Sequence, residues 1–110
     1  MLSARIKVFV TTRVVAFHKW PGAPDDCAYL RDLHRHVFHV RGEMPVSHHD
    51  RDIEFIGLKL QTKAAIEDAL ATRQTDTWSC EHWCHFLINA IGFSKVEVSE
   101  DGENGAIVEV

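Results

Sequence analysis

Residues 5–17 alternate with period two. Ile6, Val8, Val10, Val14 and Ala16 share one parity, while Arg5, Lys7, Thr11 and Arg13 share the other. That is the pattern of a half-buried strand, with a kink or bulge expected near Thr11-Thr12. On simple parity His18 joins the apolar side; one bulge would reverse it. Pro21-Gly22-Ala23-Pro24-Asp25-Asp26 is loop chemistry. Residues 34–46, rich in Val and Phe, read as a second strand ending near Pro45. From Asp52 the period becomes helical, with Phe55, Leu58, Ala65, Ile66 and Ala69 as the stripe. Ser79 is placed to cap a second helix from about Cys80 to Ile91, with Trp83, Leu87, Ala90 and Ile91 inward and Gly92 as its stop. Residues 95–99 and 106–110 are short strands joined by Asp101-Gly102-Glu103-Asn104-Gly105, which is hairpin material. The order strand, strand, helix, helix, strand, strand predicts an α+β domain. Its four strands form one antiparallel sheet, with both helices on one face.

One hundred and ten residues fit a single domain, 1–110, and leave little room for a deep cleft, so a site shared between subunits is expected. The net charge of -4 and the lack of a basic stripe argue against a nucleic-acid partner. No apolar run approaches the roughly 20 residues that span a bilayer. Met1-Leu2-Ser3-Ala4-Arg5 lacks the apolar core of a signal peptide. Cys27, Cys80 and Cys84 are odd in number and not spaced as a disulfide framework, which points to a reducing, cytoplasmic setting.

The chemistry concentrates in histidine. Leu33-His34-Arg35-His36 places two imidazoles two apart on a predicted strand, hence on one side of it. Ala16-Phe17-His18 ends the preceding strand and can add a third, and three imidazoles with an open position form a catalytic zinc site. His39 has the parity opposite to His36, and His48 and His49 sit in a turn open to solvent. Cys80 and Cys84, four apart on a helix, read best as buried thiols packing as small apolar groups. Cys27 follows a loop and would be a nucleophile only if its pKa were lowered; Asp25 and Asp26 act the other way. The helix dipole alone accounts for Glu81 in the first turn. Glu100 shares the parity of Val96 and Val98, yet taken by itself reads as an exposed strand end.

In this order these segments resemble the 6-pyruvoyl-tetrahydropterin synthase and 6-carboxytetrahydropterin synthase family, from Val14 to Val110. Ala16-Phe17-His18 resembles that family's first zinc-histidine segment. Leu33-His34-Arg35-His36 is similar to its Leu-His-Gly-His, and Ile53-Glu54-Phe55-Ile56-Gly57-Leu58-Lys59 to its Val-Asp-Phe-x-x-Leu-Lys. Ser79-Cys80-Glu81 resembles its Thr-x-Glu, and Val96-Glu97-Val98-Ser99-Glu100 its Val-x-Val-x-Glu. The resemblance implies a tunnelling fold, ββααββ, assembling through trimers or hexamers into a β-barrel. It also implies Zn2+ on His18, His34 and His36, and a pterin held by Glu100, with Ser79 and Glu81 nearby. Cys27 is then the candidate for the catalytic cysteine.

Arg35 stands where the family usually has Gly and Glu54 where it has Asp, and two further departures bear on the chemistry. Leu30 stands where its catalytic cysteine lies, four residues before His34, and residues 70–78 contain no Leu-Asp-His segment. Two functions therefore stand side by side. One is a zinc-dependent lyase that eliminates triphosphate from dihydroneopterin triphosphate and rearranges or cleaves its side chain. The other is a zinc-containing pterin- or purine-binding or assembly protein without the chemistry. A cupin-like metal protein would need strands where residues 53–71 are helical in period.

Overall fold

The structure, a computed structural model, describes residues 4–110. The reading of Met1-Leu2-Ser3 lies outside the described residues. Strand β1 (Ile6–His18) is followed by a 3-10 turn (Asp25–Arg31) and strand β2 (His34–Val46). Helix α1 (Phe55–Thr72), a short 3-10 turn (Thr75–Thr77) and helix α2 (Cys80–Ile91) come next, then strands β3 (Lys95–Glu100) and β4 (Asn104–Glu109). The strands form one antiparallel sheet in the order β1-β2-β3-β4, so each pairs with its neighbour in sequence.

The register between β1 and β2 runs unbroken from Ile6↔Val46 to His18↔His34. The bulge expected at Thr11-Thr12 is absent. Thr12 keeps the inward parity, half-buried between Val10 and Val14 in the strand. Even-numbered positions therefore face one way along the whole of β1 and β2, from Val10 and Ala16 to Phe38 and Val40. Val96 and Val98 continue that layer on β3, and Leu58, Ile66, Ala69, Trp83, Cys84 and Leu87 cover it from the helices. One core thus lies on one face of the sheet, as the alternating pattern requires.

Each helix starts at a side-chain cap. The Glu54 carboxylate accepts the Gly57 N–H, and the Ser79 hydroxyl accepts the His82 N–H at 3.1 Å. In α1 the buried stripe is Leu58, Thr62, Ile66 and Ala69; the Thr62 hydroxyl donates to the Leu58 carbonyl at 2.8 Å. Phe55, assigned to that stripe, is 57% exposed, because it opens the helix at the rim of the sheet beside Ile6 and Val46. In α2 the buried stripe is Cys80, Trp83, Cys84 and Leu87. Ala90, expected inward, is exposed at the margin of the stripe in the last turn. Gly92 ends α2 at φ 94°, a left-handed conformation that costs glycine little. Gly42 meets a different demand. The Phe93 ring lies against it so closely that a Cβ would stand 2.5 Å from Cζ.

Strand β3 runs one residue beyond the expected end, and β4 starts two residues earlier than expected. Asp101 and Gly102 are consecutive left-handed residues, at φ 58° and 74°. They reverse the chain within three residues, so pairing resumes at Glu100↔Asn104. Glu100 is therefore inside the ladder rather than at a frayed end. No helix among the described residues is long and apolar enough to cross a membrane.

Candidate metal centre

The unbroken β1–β2 register sets His18 directly opposite His34, with His36 opposite Ala16 two residues on. On the other side of β2, Glu100 pairs with Phe38. All four residues take the inward parity at the end of the sheet. Their rings and carboxylate meet: the His18–His34, His34–His36 and His18–His36 ring centroids are 4.4, 4.9 and 5.1 Å apart. One donor atom from each of His18, His34, His36 and Glu100 lies within 4.8 Å of the others, a group able to hold a metal ion.

The hydrogen bonds behind the rings fix which atoms face inward. His34 Nδ1 is 2.7 Å from the Asp32 carbonyl oxygen, and His36 Nδ1 is 2.7 Å from Asp101 Oδ2. A carbonyl and a carboxylate only accept, so both Nδ1 atoms carry the hydrogen, and in the neutral rings both Nε2 atoms present lone pairs. The Nε2 atoms of His18, His34 and His36 are buried and lack a hydrogen-bond partner. Glu100 Oε2 is 3.0 Å from His18 Nε2 and 2.9 Å from His36 Nε2, but neither contact has hydrogen-bond geometry. Buried polar atoms are rarely left in this state. Imidazole lone pairs and a carboxylate turned on one another repel, and a cation between them removes both the repulsion and the lost hydrogen bonding. The backing of metal-ligating histidines by a main-chain carbonyl and a carboxylate is the outer arrangement such sites use.

Beside this group lies a cavity of about 440 Å3, bordered by His18, His34 and Glu100 and walled by Trp20, Leu30, Trp78 and the start of α2. Two main-chain hydrogen bonds shape its rim: Lys19 N–H donates to the Asp76 carbonyl and Trp20 N–H to the Leu30 carbonyl, both at 2.7 Å. Ser79, Cys80 and Glu81 reach the cavity from the N-terminus of α2. The Ser79 hydroxyl oxygen is engaged by its cap. Burial first, then the nearby Glu100 carboxylate, push the Cys80 thiol up to about 12, and Cys80 does not belong to the donor group. Cys84 is also buried and its thiol is pushed up, chiefly by burial. A larger cleft of about 880 Å3 passes Arg13, His39, Arg41 and Glu97 but touches none of the three clustered histidines.

The structure thus brings together His18, His34, His36 and Glu100, with Ser79 and Glu81 on the adjoining cavity. Cys27 is half-buried in the 3-10 turn after β1; it neither joins the donor group nor lines that cavity. Glu100, assigned by resemblance to a ring, stands within the donor group itself. The sequence reading missed Asp101, Asp32, Trp20 and Trp78. Only the strand register reveals that Asp101 reaches His36; in the sequence it is one turn residue among five. Comparison with protein-family models finds no match, and neither does comparison with curated proteins.

Proposed function

We propose that the donor group holds zinc and that the chain is a zinc-dependent enzyme of pterin chemistry, resembling 6-pyruvoyl- and 6-carboxytetrahydropterin synthases. The observation that carries the metal reading is the convergence of three buried, partnerless Nε2 atoms, two of them backed at Nδ1 by acceptors. A nitrogen-rich set with one carboxylate suits zinc. Zinc bound there would supply a Lewis acid that acidifies C–H bonds beside the substrate side-chain oxygens. His18, His34 and His36 hold the ion. The carboxylate of Glu100 borders both the ion site and the cavity, where it can accept paired N–H bonds from the amidine-like edge of a pterin. Trp20 and Trp78 offer flat apolar walls to such a ring, and Lys19 a positive charge to an anionic tail.

A second reading is favoured by one observation. Among the residues lining the cavity, the titratable groups outside the donor set are Lys19, Cys80 and Glu81, and neither Cys27 nor a spare histidine is present. A protein that binds a pterin or purine without turning it over fits that lining as well.

Assembly belongs to the same proposal. β1 and β4 are open edges of the sheet. Phe9, Val15, Phe17 and Ile107, on the outward parity, are each about half exposed or more. Pairing of these edges between copies, as trimers or hexamers closing a tunnelling-fold barrel, would satisfy the edge hydrogen bonds and cover this apolar face. A cytoplasmic setting accords with three unpaired cysteines.

Turnover of dihydroneopterin triphosphate by zinc-loaded protein, with products followed by mass spectrometry, tests the proposal. Release of triphosphate with a rearranged or shortened side chain supports the lyase. Substrate bound but unchanged selects the binding protein. Neither binding nor turnover overturns the pterin reading in both forms.

A further inference from the structure

Asp101 makes three contacts to two consecutive residues of β2. Its backbone N–H donates to the Val37 carbonyl at 2.7 Å, its Oδ1 accepts the Val37 N–H at 3.0 Å, and its Oδ2 lies 2.7 Å from His36 Nδ1. The ladder between β2 and β3 ends at Phe38↔Glu100, so the backbone groups of Val37 fall one step past it. Asp101 takes both of them and holds its carboxylate in a fixed place. It does so at φ 58°, a left-handed conformation that Asp and Asn tolerate better than most residues.

We propose that Asp101 is a positioning residue of the metal centre, an inference that rests on the metal reading above. With one oxygen committed to Val37, the other can only accept from His36. That keeps the hydrogen of the neutral His36 ring on Nδ1 and aims the Nε2 lone pair at the centre. His34 is held in the same tautomer by the Asp32 carbonyl, a main-chain group that no substitution removes. At His36 the task falls to a side chain, and so it can be altered.

Asp101→Asn separates this role from that of a turn residue. Asparagine keeps the left-handed backbone and an oxygen for the Val37 N–H, but turns an NH2 donor toward His36 Nδ1. The ring then moves its hydrogen to Nε2 and the inward lone pair is lost. Asp101→Ala removes the acceptor and the Val37 contact without adding a wrong donor. The probe is cobalt(II) alone, titrated into the full chain and followed by its visible absorption. Asp101→Asn is expected to bind about 10- to 100-fold more weakly than wild type, the usual cost of an outer-shell partner, and at least as weakly as Asp101→Ala. A turn residue gives the reverse order, with Asp101→Ala the worse, and that order overturns the assignment. Affinity of Asp101→Asn within about twofold of wild type overturns it too, being far short of that cost.

A second readout needs no metal. 15N shifts of His36 in metal-free protein, at a pH where the ring is neutral, are expected to show Nδ1–H in wild type and Nε2–H in Asp101→Asn. Nδ1–H in both overturns the role of Asp101. Wild type with Nδ1–H that binds no cobalt defeats the metal reading, and the role of Asp101 in metal binding with it. Tight cobalt binding that the variant leaves unchanged defeats the Asp101 assignment alone.

Discussion

At one end of the β1–β2 pair, His18, His34 and His36 meet Glu100; just past the other end, His48 and His49 stand beside Asp50 and Asp52. Both groups combine histidine with carboxylate. In the turn, however, the polar atoms satisfy one another locally. Asp52 Oδ2 accepts the Ser47 N–H at 2.7 Å and the Ser47 hydroxyl at 2.9 Å, and His48 Nδ1 accepts the Asp50 N–H at 3.2 Å. These are short-range side-chain-to-backbone bonds of the kind that build turns. At the other end, three strands carry donors in from different parts of the chain, and the extended backbone spends its own groups on the ladder. The inward imidazole atoms are left with one another. What separates a candidate centre from a polar turn is unspent bonding capacity held at a point, not a count of histidines.

The largest effect should follow from removing one of the converging ligands. His34→Ala is expected to weaken zinc binding by more than roughly 100-fold, beyond the upper range for an outer-shell partner. His48→Ala combined with His49→Ala should leave it unchanged. Isothermal titration of both variants checks the contrast. Equal losses would mean that histidine content, not convergence, controls binding.

Between the two ends, Gly42 lies against Phe93. Gly42→Ala would drive a Cβ to within 2.6 Å of three ring carbons. Overpacking of this kind costs about 1–3 kcal/mol, read as a lowered urea midpoint. Metal affinity should not change, since the Cβ would meet the Phe93 ring and none of the ligands, which come from three strands. A loss of affinity in proportion to stability would show that the two regions are coupled.

A smaller difference sharpens the chemistry of the histidine end. Cys80 borders its cavity, but burial pushes its thiol up to about 12, which disfavours the reactive thiolate. Iodoacetamide should modify Cys27, which is partly exposed, well before Cys80 or Cys84; peptide mass spectrometry after timed quenching would show it. If Cys80 reacts as fast as Cys27, it is a thiolate and belongs with the donors.

The period-two and helical patterns were enough to place all four strands and both helices, because each element buries one face and its sequence carries that face. His34 and His36 were legible as a pair on one side of their strand from their spacing, whereas the side taken by His18 stayed open until the unbroken β1–β2 register fixed it. The bulge at Thr11-Thr12 was misjudged because a threonine at an inward position breaks the apolar pattern without breaking the ladder. Glu100 was read as a strand end because the reversal at Asp101 and Gly102 is tighter than the glycine-rich segment suggested. Asp101 itself was invisible. Its partners His36 and Val37 lie more than sixty positions away, and only the β2–β3 register joins them. Periodicity reports which face a residue takes, but not which distant residue shares it.

The smallest effect belongs to the turn, and it sets a limit on how far the two ends differ. The Ser47 N–H, and after it the Ser47 hydroxyl, hold the Asp52 carboxyl below its ordinary value of 3.8, with a small contribution from His48. A carboxyl lowered in the folded state binds its proton more readily when unfolded. Its stabilisation is therefore complete above the ordinary value and fades as pH falls through the lowered one. Asp52→Asn should melt slightly below wild type at neutral pH, the two should converge in acid, and at neutral pH both should bind zinc equally. Melting curves across that range give the answer. A gap that persists in acid would mean that the turn is held by shape rather than charge. A change in zinc binding would mean that the turn, for all its locally satisfied bonds, still acts on the centre at the opposite end of the strands.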